Sequence, residues 1–599
     1  MPPAESLRGR LSSLISDRLT ARHWAALIIA AAAVIAFLPA LQGEFINYDD
    51  DLLLTRNPDF RGLGLTQLRW MFTTTLGGHF HPLTWMSFAV DHAVWGMDPF
   101  GYHLTNVLLH GANTALFFFM CVALIKRAAP DADARGAMAV TMGAAFAALL
   151  FGMNPLRVQS VAWAVERKDV LSAFFYLATL LFYLKGRRAL SLAAYALSLL
   201  SKGAGISLPL ALLILDIYPL RRLPGDPRAW FSRDARPVLL EKAPYALLGA
   251  AAGAGGILLF APVRESAMVL AQYGPIERLT HYLFSLSFHL WKTIVPLGLL
   301  PQYQLPHPSD PYPWQVLLGA LSVVGITALL IIKRREWPAG LAAWIYYAAT
   351  LTPMIVVLQL VDQLAADHHT YLACLGFALL AGAGLTLALR STVGARRRAA
   401  VGAAAALILI LGSLTYGRAR VWRDSESLWR SSLAIQPDLV VAHVNLGNIL
   451  AQQGRLKEAN AHFREALKIK PLHARAHLNL GCGLADSGDT KRAEAHYRRA
   501  LEISPDLPDA HHRLARILIA TGRTKEAKAH YALLLASPVR RRLQVMDATA
   551  LSAKRSRGAA AVKRLREGIK ADPGDFERHY ALASALAAQG DRAEALPRE

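Results

Sequence analysis

The sequence predicts an all-α chain in two parts, a polytopic membrane helix bundle followed by an α-solenoid. Three observations carry this. The 599-residue chain is 54% hydrophobic with mean hydropathy +0.29, and several apolar runs approach or exceed the ~20 residues that span a bilayer as helix. Short basic stretches punctuate those runs, as the positive-inside rule requires of cytoplasmic loops. From residue 437 onward the apolar runs give way to a 34-residue period.

The net charge of +22 would suggest nucleic acid in a soluble chain. Here much of the Lys and Arg lies in loops between apolar runs, so no nucleic-acid partner is expected. The three cysteines, Cys121, Cys374 and Cys482, make neither a disulfide framework nor a thiolate metal site. Residues 1–23 carry Arg8, Arg10, Arg18 and Arg22 and read as a cytoplasmic N-terminal segment. The run Trp24–Leu41 is long for a signal peptide and is expected to be an uncleaved first crossing.

A transmembrane domain is expected over 24–417, beginning with a long, aromatic-rich outer loop, 43–101. Crossings follow at His103–Ile125, Ala137–Met153 and Val170–Leu184, with a second outer loop, Asn154–Lys168, between the last two. Ala189–Leu200 and Gly203–Leu220 read as a tight hairpin whose tip carries Lys202, and the basic loop Arg221–Lys242 returns inside. Ala243–Ala261 exits. Trp314–Ile332, Trp337–Leu360, Tyr371–Leu389 and Ala399–Tyr416 are the later crossings. Charge parity leaves Arg278–Leu300 between two outer points, so a re-entrant or surface-lying segment is expected there, with two tight crossings as the alternative. The sum is about eleven crossings, with the N-terminus inside and residues 418–599 outside. The compartment implied is the cytoplasmic (inner) membrane of a bacterium, with the repeats periplasmic or extracellular.

The repeats resemble the tetratricopeptide repeat. Pro437, Pro471 and Pro505 keep a spacing of 34, as do Gly454, Gly488 and Gly522, Ala459, Ala493 and Ala527, and Phe463, Tyr497 and Tyr531. Small residues let paired helices approach, the aromatic fills the gap, and proline ends the second helix. The pattern is regular over Val421–Ser537, degrades through Arg540–Arg566 and resumes from about Asp572. Such arrays present concave surfaces to peptides or protein partners; a dimerisation or spacer role is the plainer alternative.

The chemistry is concentrated in Glu44-Phe45-Ile46-Asn47-Tyr48-Asp49-Asp50-Asp51. Carboxylates at a membrane boundary cost solvation energy unless something uses them. A turn or helix cap is the plainer reading. Several segments together look like one family. They are Phe45–Asp50, Asn57-Pro58, His81-Pro82-Leu83-Thr84, Asp91, Tyr102-His103, Asn106, His110, Asn113, Val161-Ala162-Trp163 and Glu166–Ser172. They resemble the bacterial relatives of the transmembrane-and-tetratricopeptide O-mannosyltransferases, polytopic glycosyltransferases of the GT-C fold.

That resemblance implies an inverting transfer of a sugar, mannose in the named relatives, from a polyprenyl phosphate to an acceptor, with Ser or Thr of proteins first in view. It implies an acidic catalytic residue in the first outer loop, and Asp49 and Asp50 match the acidic pair. A hydroxyl acceptor is a weak nucleophile, so a carboxylate base suits it. Asp49 is the expected base, and Asp50 is expected to orient the acceptor or to remain partly protonated, since adjacent like charges raise one carboxyl. The departing lipid phosphate needs cations; Arg167, Lys168, Arg157, His368 and His369 are the candidates, and Lys202 could join them. His81, Asp91, His103 and Asn106 are assigned to the acceptor site or the cavity wall, with inward polar packing between helices the equal alternative for His103 and Asn106. His79, His81 and Asp91 match no ligand signature, so no metal ligand is assigned, while a divalent metal stays open.

Two departures bear on substrate. Relatives often read His-Pro-Leu-His-Val-Glu where this chain has Asn154-Pro155-Leu156-Arg157-Val158-Gln159, and an Asp-Arg-Tyr-like run where it has Asp367-His368-His369. The absence of a Gly-rich phosphate loop argues against a nucleotide sugar. Sugar transfer to a lipid or cell-wall polymer, and a non-catalytic scaffold that recruits partners through its repeats, are the competing readings.

Overall fold

The computed structural model describes residues 21–78, 80–128, 134–259, 273–305, 312–358 and 363–536. It separates into two compact units, Met1–Ile435 and Gln436–Glu599. The division lies beyond the expected boundary at 417/418, because the helix after the last crossing packs with the first unit.

Numbering only the longer helices, the first unit contains α1 (Ala21–Ala36), α2 (Pro82–Trp95), α3 (Pro99–Ala128), α4 (Ala134–Gly152), α5 (Arg167–Leu184), α6 (Arg188–Ser201) and α7 (Leu208–Ile217). It continues with α8 (Ala243–Leu259), α9 (Pro275–Ile294), α10 (Trp314–Ile332), α11 (Pro338–Leu358), α12 (Leu375–Ser391), α13 (Gly394–Val421) and α14 (Ser425–Ile435). Two short antiparallel strands, β1 (Tyr303–Gln304) and β2 (Gln363–Ala365), pair Tyr303 with Ala365 and Gln304 with Gln363.

Among the described residues, four helices are long and apolar enough to cross a membrane: Pro99–Ala128, Trp314–Arg335, Pro338–Val356 and Gly394–Val421. Two bent pairs, Gly136–Gly152 with Pro155–Ala162 and Asp367–Ala373 with Leu375–Ser391, raise the count to six. The expected eleven crossings are therefore not reproduced as full-length apolar helices. Three of the expected segments form shorter apolar helices, Ala21–Ala36, Arg188–Ser201 and Gly203–Ile217. Ile28, Leu321 and Leu409 are each 68% exposed. Such widespread apolar exposure is costly in water and suits lipid.

The segment expected to be re-entrant or surface-lying is one uninterrupted helix, α9, with His281, Ser285, Leu286 and His289 buried on one face. Pro296 and Pro301 follow it and lead into β1. The β1–β2 ribbon fixes the loop that carries His368 and His369.

Close helix contact depends on glycine at the crossing of α4 and α12. A Cβ on Gly143 would lie 2.4 Å from the Gly382 carbonyl oxygen, and one on Gly382 would lie 2.4 Å from that of Gly143. Small residues at such crossings let backbones pack without side chains between them. α3 carries a polar seven-residue step, and all of it is inward. His110 contacts the Tyr371 hydroxyl at 2.7 Å and the Gly152 carbonyl at 2.9 Å, and Asn113 donates to the Val170 carbonyl at 2.8 Å. These bonds tie α3 to the loops that build the site.

In the second unit, α15 (Val440–Gln452), α16 (Leu456–Ile469), α17 (Ala474–Asp486), α18 (Thr490–Ile503), α19 (Pro508–Ala520) and α20 (Thr524–Ala536) form three helical hairpins. The 34-residue signals map onto physical needs. Gly454, Gly488 and Gly522 turn each hairpin with φ of +78°, +87° and +79°, a region that favours glycine. A Cβ on Gly447 would meet the Phe463 ring at 2.5 Å, so the small residue and the aromatic are complementary. The expected degeneration over 540–566 and resumption near 572 lie outside the described residues.

Candidate active site

Three loops of the first unit and the α6–α7 turn converge. The acidic loop is held from beneath by Asp50, whose carboxylate accepts from the Ile46 amide at 2.8 Å and from the Val165 amide at 3.1 Å. Asp50 is fully enclosed, and burial pushes its carboxyl up to about 8 despite the two amide donors. This corrects its expected role. A carboxylate with both oxygens on buried backbone amides braces the two loops and does not face an acceptor. Asp49 is partly exposed beside it. Asp51 is turned outward, accepting from the Leu52 amide at 2.9 Å and pairing loosely with Arg56.

Tyr48 sets the position of Asp49. Its ring stacks on Trp163 at 4.7 Å and meets Trp429 edge-on at 5.3 Å, and its hydroxyl bonds to Gln302 at 2.9 Å. The Glu44 amide donates to the Arg423 carbonyl at 2.7 Å and the Asn47 amide to Ser425 Oγ at 2.8 Å. The catalytic candidate is thus seated on the α13–α14 corner as well as on the loop that carries Trp163.

Arg167 is also corrected. It is completely buried, pairs with Asp91 at 2.6 Å, donates to the Tyr102 carbonyl at 2.7 Å and bonds to Asn106. Asn106 in turn donates to the Trp163 carbonyl at 3.2 Å. Arg167, Asp91 and Asn106 are one internal lock that shapes the Trp163–Glu166 turn. The guanidinium is not presented to a lipid phosphate. His103 is buried on the same helix, and His81 is buried and stacked on Trp85 at 5.0 Å. Neither lines an open acceptor site.

The cationic side of the site is elsewhere. Lys168 pairs with Glu166 at 3.0 Å. Lys202, from the turn between α6 and α7, pairs with Asp169 at 2.6 Å and Glu166 at 3.3 Å. Burial would raise Glu166, but Lys168 and Lys202 outweigh it and hold the carboxyl low; burial raises Asp169. Asp169, Ser172, Lys202, Thr350, His368, His369 and Tyr371 line a small polar cavity. The His368 amide donates to Gln159 Oε1 at 3.0 Å, and Gln159 donates to the Pro301 carbonyl at 2.8 Å. The glutamine that departs from the relatives' glutamate therefore positions the histidine loop. Arg157 is buried against the Phe151 and Tyr371 rings at 5.5 and 5.6 Å, with Nε and Nη1 lacking a hydrogen-bond partner. Arg157, Arg418 and Lys292 act electrostatically on Asp367, which accepts from the Tyr303 hydroxyl at 2.9 Å.

Glu166, Asp169 and His368 offer three ligand atoms within 4.8 Å of one another. The two ammonium groups on those carboxylates already supply positive charge, so the donor set does not fit a resident metal ion.

Models of the tetratricopeptide repeat match residues 438–506, 484–544 and 578–598. The human protein O-mannosyl-transferase TMTC1 is 25% identical over 501 residues, covering 73% of this chain and 54% of that protein. The protein O-mannosyl-transferase F38B6.6 of Caenorhabditis elegans is 26% identical, covering 73% and 61%. The chain is a relative of the transmembrane-and-tetratricopeptide O-mannosyltransferases. It spans about half to two thirds of the length of the TMTC1 and TMTC4 proteins it matches. A solved structure of ArnT from Cupriavidus metallidurans, bound to undecaprenyl phosphate, covers 82% of this chain and 81% of its own at 14% identity, with a TM-score of 0.33. That overlap is too loose to bear on the site.

For a relative of the O-mannosyltransferases, one further feature of the first unit matters. An apolar cavity of about 120 Å³ lies between α3, α5, α7, α11 and α12, lined by groups such as Leu124, Ile214, Leu379 and Leu380. Ala339, Ala342, Ala343 and Tyr346 of α11 line it, and Thr350 and Met354, the next turns of the same face, line the polar cavity. Sequence reasoning named Lys202 from the break between two short apolar runs. It missed Thr350, Gln302 and Trp429, since nothing local marks a residue whose role is set by a distant loop.

Proposed function

We propose that this chain is a membrane glycosyltransferase that moves a sugar from a polyprenyl phosphate to a hydroxyl acceptor at the outer face. The observation that carries the reading is the single face of α11 that runs from an apolar cavity to a polar, lysine- and histidine-lined one. A prenyl chain suits the first and a phosphate the second.

The residues then take the following roles. The donor tail lies along α11, and its phosphate meets Lys202, His368 and His369, with Lys168 one step behind. Incoming negative charge favours protonation of Asp169, whose carboxyl is already raised by burial, and this releases the Lys202 ammonium toward the phosphate. Asp49, seated by Tyr48 on Trp163, accepts the acceptor's proton as the acceptor oxygen attacks the anomeric carbon. The bond from that carbon to the phosphate oxygen breaks, the electron pair leaves with the lipid phosphate, and the anomeric configuration inverts. The named activity of the relatives favours a Ser or Thr hydroxyl of a protein as acceptor and mannose as sugar. The repeats hold that acceptor or a partner protein at the outer face. This reading places the chain in the cytoplasmic membrane of a bacterium, with its N-terminus inside.

The test is transfer of radiolabelled mannose from polyprenyl-phosphate mannose to membrane proteins by purified enzyme. Asp49→Asn is expected to lower the rate by ~10²–10⁴-fold, the contribution of a positioned base, with donor binding retained. Full activity in a normally folded Asp49→Asn variant rejects Asp49 as base. Transfer into the lipid or polymer fraction alone rejects the protein acceptor.

A further inference from the structure

Each described repeat contains a cross-helix histidine pair that the proposed glycosyl transfer does not use. His443 and His462, His477 and His496, and His511 and His530 bring Nδ1 to Nδ1 at 3.0, 2.9 and 2.9 Å. The first member sits on the first helix of its hairpin and the second on the return helix, and both series keep the 34-residue period. The first ring is fixed each time. His443, His477 and His511 place Nε2 at 2.9, 3.1 and 2.8 Å from the carbonyls of Pro437, Pro471 and Pro505. A carbonyl only accepts, so Nε2 carries the proton, and the neutral ring presents a lone pair at Nδ1. The second ring's Nδ1–H points at that lone pair.

We propose that these three pairs are binding sites for an imidazole-seeking divalent transition metal, Cu²⁺ or Ni²⁺ in preference to Zn²⁺. The ring held by its Nε2–H on a backbone carbonyl has the orienting contact that metal-ligating histidines use. Metal–nitrogen bonds of about 2.0–2.1 Å to two atoms 2.9–3.0 Å apart subtend about 90° at the metal. That is the cis angle of a tetragonal site, reached when both rings turn to aim their Nδ1 lone pairs at an ion lying off the Nδ1···Nδ1 line; a tetrahedral ion would need the rings to open as well. On binding, the second ring shifts its proton from Nδ1 to Nε2, so no ionisation is required. His462, His496 and His530 are half-buried, which leaves the other coordination positions to water. A carboxylate acts electrostatically on each pair: Glu465 on the first, Glu502 on the second against Arg499 and Arg464, and Glu526 on the third against Arg498. The site is independent of the glycosyltransferase reading, since it lies within the repeat unit alone.

The experiment uses the full chain in detergent, stripped with chelator and titrated with CuCl₂. Bound metal is counted by elemental analysis and its ligands are read by electron paramagnetic resonance. The wild type is expected to bind three more Cu²⁺ than H462N/H496N/H530N, one for each pair, with imidazole nitrogen couplings. Each single variant loses one. Asparagine keeps an N–H donor for the partner's Nδ1, so the hairpins are expected to hold, and helical circular dichroism checks this. Equal binding by wild type and triple variant, or no binding by the wild type, overturns the proposal and leaves the pairs as hydrogen-bonded helix clamps. NiCl₂ is expected to repeat the pattern and ZnCl₂ to bind more weakly.

Discussion

Replacing Asp50 by alanine separates bracing from catalysis in the acidic loop. The carboxylate accepts from two buried amides, Ile46 and Val165, in segments far apart in sequence. Alanine leaves both N–H groups without a partner, each costing about 1–3 kcal/mol, so the loss is roughly 2–6 kcal/mol. That is a large share of the ~5–15 kcal/mol that holds a typical domain. The assay is thermal unfolding of the detergent-solubilised protein together with hydrogen–deuterium exchange. The melting temperature is expected to fall, and exchange is expected to speed up in peptides containing Ile46 and in peptides containing Val165. Asp49→Ala changes neither, because Asp49 is partly exposed and not the brace. If Asp50→Ala leaves both peptides protected while abolishing transfer, the bracing argument fails and Asp50 is the chemical group. Faster exchange at Ile46 alone would refute the link between the loops.

Further outcomes follow from the same geometry. Burial raises the folded Asp50 carboxyl from its ordinary value of 3.8 to about 8, so the fold binds this proton more tightly than the unfolded chain does. Stability is therefore expected to fall as pH rises through that window and to level off above it, and Asp50→Asn should flatten the profile in thermal melts. Arg167→Leu strands Asp91 in the interior and is expected to cost about 3–5 kcal/mol, while adding Asp91→Asn should recover part of it in a double-mutant cycle. Leu379→Trp, which narrows the apolar cavity, is expected to raise KM for the polyprenyl donor with little change in kcat. Gly447→Ala pushes a Cβ onto the Phe463 ring and is expected to destabilise the repeats, with Phe463→Leu in the same chain relieving the loss.

Much of the architecture is legible as local pattern. Apolar length and the sign of loop charges marked the membrane part, although they counted crossings that the structure makes short, bent or broken. The helix period set the repeats, because a glycine turn, a small residue and an aromatic recur wherever one hairpin stacks on the next. The histidine pairs went unread, although His443, His477 and His511 keep the period as faithfully as the prolines do. The site was legible only as residue types. Arg167 and Asp50 lie within well-matched segments, and both turn inward.

The sequence by itself determined the all-helical class, the order of membrane part and repeats, the carboxylates of the first loop and the break that presents Lys202. These rest on periodicity and composition, which act over one or two helical turns. Only the tertiary structure decided which charges are free to meet a substrate. Arg167 is neutralised by Asp91, Asp50 is held by two amides, and Lys202 reaches Glu166 and Asp169 across the bundle. Charge pairing depends on distance in space, and the partners here lie 76, 115, 36 and 33 residues apart along the chain for Arg167–Asp91, Val165–Asp50, Lys202–Glu166 and Lys202–Asp169. No local pattern carries that information. The same physics leaves Asp49 as the member of the acidic pair that is partly open, the group proposed as the base.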